Sequence, residues 1–307
     1  MTLSVEPSGK ILGATVRGLD LSRLLNGSQL GFVLAALGRH GVLRFPEQKL
    51  SPAQQKTFTA QFGGLHQNAS HRVEGVPEIS ILSNIVEDGR SIGYLDAGMI
   101  WHRDVTHKKV PAFATVLHAI KVPRRGGKPL GDTLFANTQA AYDDLPEPIK
   151  RRLKGAVAVH SSEQYNRNVR DAGSTRPTYE KMPYRHEPIP HPLVMAHPIT
   201  GRSTLYCDPG NVERLEGLAE GQGGDAAAIL QLLNEHQTLE KYRYSFSWTE
   251  GDVLIWENFG TLHRATPDYG PDEHRLMQRS QAMADKVFDP DFVKQHLAVA
   301  ATSSPEY

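Results

Sequence analysis

The sequence is poor in cysteine, since Cys207 is the single cysteine among 307 residues. One thiol cannot close a disulfide within the chain, which excludes a small scaffold held together by disulfides and suits a reducing compartment. The first ten residues also lack the basic stretch followed by an apolar stretch that marks a secretory signal. We therefore expect a cytoplasmic protein.

The sequence also lacks net charge and long apolar runs. The 34 Lys and Arg residues balance the 34 Asp and Glu residues, so the chain has no overall attraction for nucleic acid. No apolar run approaches the length of a membrane-spanning helix. At 39% hydrophobic and 22% charged residues, the composition is that of a globular domain with a sizeable core. We expect a small molecule as partner, and neither nucleic acid nor a membrane.

Short segments rich in apolar and β-branched residues recur along the chain and predict many strands. The predicted strands are at 11–17, 41–45, 78–85, 112–119, 131–136, 192–197, 203–207, 241–248, 251–256 and 275–283. The predicted helices are at 29–39, from Ser51 through Phe62, in two pieces over 138–153, and near 225–236. No repeat or linker divides the chain. We predict a single domain over 1–307 that is mainly β with flanking helices, a barrel or sandwich of jelly-roll kind.

Two segments look like loops beside a site. Residues 161–190 contain Ser, Asn, Arg, Pro and Tyr without clear periodicity, and a loop of that length inside a domain is usually functional. Residues 86–98 contain Gly and Asp and lead directly to Trp101. We predict that 161–190 is a lid insertion and that both segments control access to the site.

The chemistry centres on His102 and Asp104, which are two residues apart. On an extended segment alternate side chains point to the same side, so this imidazole and this carboxylate can converge on one point. His263, far along the chain, would complete a face of three ligands. Two histidines and one carboxylate with open positions opposite suit non-haem Fe(II) oxygen chemistry. The pattern predicts an oxygenase.

Two arginines strengthen this interpretation. Arg275 and Arg279 lie on a predicted buried strand that contains no carboxylate, and a buried arginine needs an anionic partner. A guanidinium group matches a carboxylate held by two parallel hydrogen bonds, so a carboxylate co-substrate would suit it. The alternative is a structural ion pair with Glu257 or Asp252.

These motifs carry a resemblance that extends from about residue 11 to 283. The similar stretches are GATVRGLDLSR, HGVLRFPEQKLSPAQQ, W-H-x-D-V-T at 101–106, GDTLFANTQAAYDDLP, HPITGRSTLY, GDVLIWENFGTLHRATPDY and R-L-M-x-R. They resemble the taurine dioxygenase and 2,4-dichlorophenoxyacetate dioxygenase family of Fe(II)- and 2-oxoglutarate-dependent dioxygenases. The resemblance implies a double-stranded β-helix, which is a jelly roll of the clavaminate synthase-like type.

The resemblance also implies site residues and co-substrates. His102, Asp104 and His263 would bind Fe(II), and O2 and 2-oxoglutarate would be consumed. Thr133 and Arg275 would hold the distal carboxylate of 2-oxoglutarate. Arg279 would lie nearer the iron and help to hold the anionic group of the substrate. The products would be succinate, CO2 and an oxidised, typically hydroxylated, small anionic compound such as a sulfonate or carboxylate. Family members are commonly homo-oligomers, so we expect one here.

The resemblance specifies the substrate less closely than it specifies the metal ligands and the co-substrates. Asn68, Tyr94, Ser161 and Ser162 fall where family members line the substrate pocket. Asn68 stands where the taurine enzyme has a histidine for the sulfonate, and a neutral amide does not offer the same charge. Two alternatives stay open: a hydroxylase or desaturase of an amino-acid-like metabolite in a biosynthetic pathway, and a non-catalytic binding protein on the same fold.

Overall fold

Strands dominate the architecture, with helices packed outside them. The computed structural model describes residues 2–68, 70–174, 187–221 and 224–303. The strands, numbered in chain order, are β1 (Ser4–Pro7), β2 (Ala14–Arg17), β3 (Val42–Phe45), β4 (Arg72–Val73), β5 (Val76–Ser83), β6 (Val86–Glu87), β7 (Arg90–Ser91), β8 (Ala112–Lys121), β9 (Arg124–Arg125), β10 (Lys128–Pro129), β11 (Thr133–Asn137), β12 (Val157–His160), β13 (Ile189–Pro192), β14 (Val194–Ala196), β15 (Ser203–Leu205), β16 (Val212–Glu216), β17 (Arg243–Phe246), β18 (Val253–Glu257), β19 (Thr261–Ala265) and β20 (Leu276–Met283). The prediction of a mainly β protein with flanking helices is confirmed.

The helices begin and end at residues with clear local causes. They are α1 (Gly27–His40), α2 (Pro52–Thr59), α3 (Thr138–Asp143), α4 (Glu147–Leu153), α5 (Ser162–Asp171), α6 (Ala226–His236) and α7 (Pro290–Ser303). Asn26 and Gln29 form a capping box at the start of α1, and Gly41 ends that helix with φ of 69°. Ser51 and Gln54 form a second capping box before α2, as the sequence predicts.

The predicted extension of the second helix to Phe62 is wrong, because α2 ends at Thr59. Phe58 and Phe62 are fully buried and their rings meet edge to face with centroids 5.3 Å apart. The chain then runs tightly against β20: a Cβ atom added to Gly63 would lie 2.0 Å from the carbonyl oxygen of Met283. A continued helix would not allow this close approach.

One large sheet organises the molecule. Its eight strands follow the order β1-β2-β3-β18-β8-β20-β5-β4, and every neighbouring pair is antiparallel except β2 with β3. One face carries Ala114 and Val116 into an apolar core shared with α1, α2 and α7. The other face carries Leu117 and Trp256 into a second core that includes Phe135 of β11. Alternate residues of β8 therefore supply two different cores.

A smaller sheet, in the order β17-β11-β19, lies over that second core. In its register Phe135 of β11 pairs with His263 of β19. Residue His102 in turn forms an isolated antiparallel bridge with His263. The small sheet therefore holds the distant histidine beside the W-H-x-D motif.

Several elements lie where no strand or helix was predicted. The predicted loop at 161–190 contains α5 and β13, and part of it, 175–186, lies outside the described residues. The predicted loop at 86–98 contains the short β6–β7 hairpin. In α5 only Val169 is buried, because most other side chains of this helix are polar. Within the described ranges, no helix combines the length and apolar character needed to cross a bilayer.

Candidate active site

Three side chains from two distant parts of the chain meet in the interior. His102, Asp104 and His263 are 3%, 6% and 6% exposed. His102 Nε2 lies 3.9 Å from Asp104 Oδ1, and His263 Nε2 lies 3.6 Å from Asp104 Oδ2. One ligand atom from each residue falls within 4.8 Å of the other two. This spacing allows all three side chains to bind one metal ion.

The backbone holds the two histidines together. The amide N–H of His102 donates to the carbonyl of His263 at 3.1 Å, and the amide of His263 donates back at 3.0 Å. Their rings lie 4.2 Å apart between centroids. Because both bonds are main-chain bonds, the pairing does not depend on how the imidazoles titrate.

Neighbouring polar groups orient the carboxylate. The hydroxyl of Thr115 donates to Asp104 Oδ2 at 2.7 Å, and the side-chain amide of Asn258 donates to that hydroxyl at 3.1 Å. Asn258 also accepts from the backbone N–H of Asp104 at 3.3 Å. Val105 follows with φ of +56°, a strained conformation for a β-branched residue. Strain of this kind is typical of backbone fixed for function.

The ring nitrogens facing Asp104 are the ones suited to a metal. Nδ1 of His102 lies 2.8 Å from the carbonyl oxygen of Ile100, which can only accept, so Nδ1 donates its hydrogen there. Nε2 of His102 then carries the free lone pair. A carbonyl partner of this kind fixes the tautomer of a ligating histidine.

Charges at the site match a divalent cation. Burial by itself would raise the pKa of Asp104, but the charges of Arg279, His263 and His102 and the Thr115 hydroxyl together hold that pKa well below its usual range. Burial, together with the nearby His102, lowers the pKa of His263 well below its ordinary value. An ionised carboxylate and neutral imidazole form the donor set of non-haem Fe(II) centres. The residues therefore fit Fe(II).

Two further buried side chains, Thr133 and Arg275, have hydrogen-bonding groups that no protein atom uses. Thr133 accepts a hydrogen bond from the indole N–H of Trp248 at 3.0 Å, which leaves its own hydroxyl hydrogen available. Arg275 is 5% exposed and its Nε has no hydrogen-bond partner. Gly131 allows the guanidinium to approach, since a Cβ there would lie 3.3 Å from Arg275 Nε. A buried guanidinium and a hydroxyl with an unused hydrogen are each suited to a carboxylate ligand.

The structural ion pairs considered for these arginines do not form. Asp252 accepts from Arg44 Nε at 2.8 Å, and Glu257 accepts from the amides of Phe259 and Gly260 at 2.7 and 2.8 Å. Among the described residues, no carboxylate lies within ion-pair distance of Arg275. Arg279 reaches the metal side of the pocket, with Nη1 3.5 Å from Asp104 Oδ1.

The predicted substrate residues have mixed surroundings. Asn68 is 7% exposed and donates to the carbonyl of Glu78 at 3.4 Å. Tyr94 bonds to the hydroxyl of Ser70 at 2.9 Å. Ser161 caps α5 by accepting from the amide of Gln164, and the hydroxyl of Ser162 is buried without a hydrogen-bond partner. Substrate contact by these four residues stays a prediction.

Some residues around the site have no sequence pattern that marks them as functional. Tyr165 of α5 places its ring 5.3 Å from that of His102. Gly210 packs against the same histidine: a Cβ at Gly210 would lie 2.8 Å from that of His102. Arg103 is 1% exposed and donates to the carbonyls of Leu205 and Cys207 at 2.6 and 2.7 Å. Arg103 therefore fixes the backbone behind the site.

Comparison with known proteins identifies the class. Residues 4–281 match the family model described as "Taurine catabolism dioxygenase TauD, TfdA family". The chain belongs to this family. The predicted family, the enzyme class of 2-oxoglutarate-dependent dioxygenase and its use of Fe(II), 2-oxoglutarate and O2 are thereby confirmed.

Individual relatives cover nearly the whole chain. The chain is 32% identical over 276 residues to an alkylsulfatase of Acinetobacter baylyi, covering 87% of this chain and 81% of the relative. It is 34% identical over 293 residues to the (S)-phenoxypropionate/alpha-ketoglutarate-dioxygenase of Delftia acidovorans, covering 87% of this chain and 90% of the relative. A crystal structure of a taurine dioxygenase from Burkholderia xenovorans superposes with a TM-score of 0.71 at 30% identity, covering 92% of this chain and 91% of that one.

Proposed function

We propose that this protein oxidises a small anionic organic substrate, such as a sulfonate or a carboxylate, with release of succinate and CO2. The observation that carries the proposal is the buried cluster of His102, Asp104 and His263, whose ligand atoms lie within 4.8 Å of one another. Bound Fe(II) supplies the redox chemistry with O2 and 2-oxoglutarate. The chain supplies the ligands, the anion-binding groups and a site from which water is excluded.

We assign separate roles to the polar residues of the pocket. His102, Asp104 and His263 hold the iron. Arg275, buried and without a carboxylate partner among the described residues, binds the distal carboxylate of 2-oxoglutarate together with the hydroxyl of Thr133. Arg279, 3.5 Å from Asp104, lies where it can bind the anionic group of the substrate or assist the co-substrate.

The relatives support an anionic substrate. The names of the two relatives described above refer to sulfate esters of alkyl groups and to phenoxypropionate, which are both organic anions. A guanidinium near the metal suits either a sulfate or a carboxylate head group. Asn68, Tyr94, Ser161 and Ser162 are the further candidates for contact with the rest of the substrate.

Further features belong to the same proposal. Two facing sheets around one apolar core support a double-stranded β-helix, or jelly roll, in a single domain over 1–307. The contact of Tyr165 in α5 with His102 supports a lid at 161–190. Homo-oligomer formation and a cytoplasmic location also stay predictions.

The test is a screen for substrate-stimulated succinate release. Purified protein loaded with Fe(II) would be incubated with 2-oxoglutarate and one member each of the alkyl sulfonates, alkyl sulfates, aryloxyalkanoates and amino acids. We expect stimulation by organic anions. Stimulation by amino acids alone would favour the biosynthetic alternative. Tight anion binding without any 2-oxoglutarate turnover would contradict the proposal and favour a non-catalytic binding protein.

A further inference from the structure

A second cation, Lys108, shares a neighbour with the predicted anion-binding arginine: the charges of Lys108 and Arg279 both act on His66. Lys108 is half-buried, and its Nζ lies 3.2 Å from Nδ1 of His66. Burial, together with the charges of Lys108 and Arg279, lowers the pKa of His66 to about 4. The imidazole is therefore neutral near pH 7, and its Nδ1 accepts one of the three N–H bonds of the ammonium group.

The charge of Lys108 is not balanced locally. Among the described residues no carboxylate forms an ion pair with it, and burial lowers its pKa. Partial burial weakens the hydration of the ammonium group, and an anionic ligand would offset that loss. Arg279 also lacks a full counter-charge once a metal ion binds Asp104, because the metal ion then shares the charge of that carboxylate. These two cations then share less than two negative charges from the protein.

The position of Lys108 is fixed by the fold. Nε2 of His191 lies 2.9 Å from the carbonyl oxygen of Thr106 and 3.1 Å from that of Lys108. The histidine is 6% exposed, and it donates to this short stretch of backbone just after the metal-ligand motif. His66 is fixed in turn, since its amide donates to the carbonyl of Gln281 on β20 at 3.0 Å. The backbone from which the Lys108 side chain extends is therefore fixed, and the bond to His66 holds its ammonium group in place.

We propose that Lys108 and Arg279 together bind the head group of the substrate and that Lys108 selects a dianionic phosphoryl group over a monoanionic one. A single guanidinium satisfies a planar carboxylate through two hydrogen bonds. A second cation can bind a further oxygen and is neutralised best by a second negative charge, and a phosphate monoester offers both. This inference rests on the proposed function and names the substrate class of that same site.

Two isosteric probes test the charge directly. Hexyl phosphate is a dianion at pH 8, because its second pKa is about 6, whereas hexyl sulfate has the same shape and one charge. Binding of each to protein loaded with Fe(II) and 2-oxoglutarate would be measured anaerobically by calorimetry. We expect wild type to bind the phosphate about tenfold or more tightly than the sulfate, the size of effect of one charge-assisted hydrogen bond.

Three variants assign the preference to Lys108. We expect Lys108→Met to reduce the ratio of the affinity for hexyl phosphate to the affinity for hexyl sulfate to about one. We expect Lys108→Arg to retain most of this preference, because the charge is kept. Lys109→Met removes the same charge one residue along, at an exposed position, and should leave the ratio unchanged. Absence of the preference in wild type, or its persistence in Lys108→Met, would overturn the inference; persistence would assign the preference to the metal or to Arg279.

Failure of this inference can be distinguished from failure of the proposed function. Turnover of 2-oxoglutarate to succinate would be followed in the same preparations. Turnover without a Lys108-dependent phosphate preference would overturn only the inference. Loss of turnover with every organic anion would overturn the proposed function and the inference with it.

Discussion

At the scale of single residues, Asp104 determines the charge balance of the centre. It is 6% exposed, and nearby cations hold its pKa well below its ordinary range. Its negative charge therefore stabilises the folded protein above the ordinary pKa of an aspartate, about 3.9, and that stabilisation fades only as pH falls toward the lowered value. The carboxylate stays ionised at neutral pH.

Replacing this carboxylate should remove activity without unfolding the protein. We expect Asp104→Ala to reduce substrate-dependent succinate formation to background, because one of the three proposed metal ligands is lost. Succinate would be measured alongside the thermal melting midpoint. Asp272→Ala, at an exposed position, is the matched control. Turnover like that of wild type in Asp104→Ala would contradict the ligand assignment.

Arg275 should act on the co-substrate alone. Its buried guanidinium has no carboxylate partner among the described residues, so we expect its removal chiefly to weaken the proposed bond to 2-oxoglutarate. A hydrogen bond to a charged group contributes about 1.5–3 kcal/mol, so Arg275→Ala should raise the KM for 2-oxoglutarate by about 10- to 100-fold. Arg151→Ala, at an exposed position in α4, serves as the control. An unchanged KM would mean that Arg275 has a structural role.

The residues of the sequence motifs could be predicted to lie in the site, whereas the residues that pack around them could not. The spacing of His102 and Asp104 and the later His263 predicted a cluster that the fold brings together. Lys108 and Tyr165 carry no pattern that distinguishes them from surface residues. Their proximity to the site follows from tertiary packing between segments distant in sequence, which periodicity does not report.

At the scale of elements, the predictions succeeded where local chemistry was strong. The predicted start of α2 at Ser51 and Gln54 and the predicted break near Pro146 between α3 and α4 follow from side chains adjacent in sequence. Helix α5 was missed because its side chains are mostly polar and only Val169 is buried, so the segment offers almost no apolar residues from which to recognise a helical face. Strand β12 is only four residues long and pairs with β13 and β16, both of them further along the chain. Pairing of that kind has no local signature.

The loop that contains Gly210 should control the metal site. A Cβ there would lie 2.8 Å from the Cβ of His102 and 3.0 Å from the carbonyl oxygen of Trp101, so Gly210→Ala must displace this histidine. We expect iron affinity to fall by about 10- to 100-fold, as for loss of a group that orients a ligand. Gly27→Ala is the control, since nothing lies within 4 Å of a Cβ there. Equal iron affinities in the two variants, measured by titration, would argue against this buttressing role.

At the scale of the whole molecule, the single thiol reports on folding. Cys207 is fully buried, and burial raises the pKa of its thiol to about 12. The thiolate is the reactive form, so the native protein should not react with Ellman's reagent at pH 8. Unfolding in guanidinium should release one reactive thiol per chain, the number in the sequence. Rapid reaction of the native protein would show that the core around Cys207 opens readily.

The most direct measurement of the central claim is anomalous diffraction at the iron edge from crystals grown anaerobically with Fe(II) and 2-oxoglutarate. The account predicts one strong peak per chain, in direct contact with Nε2 of His102, an oxygen of Asp104 and Nε2 of His263. A peak bound by other residues, or no peak in crystals of protein that contains iron, would contradict it.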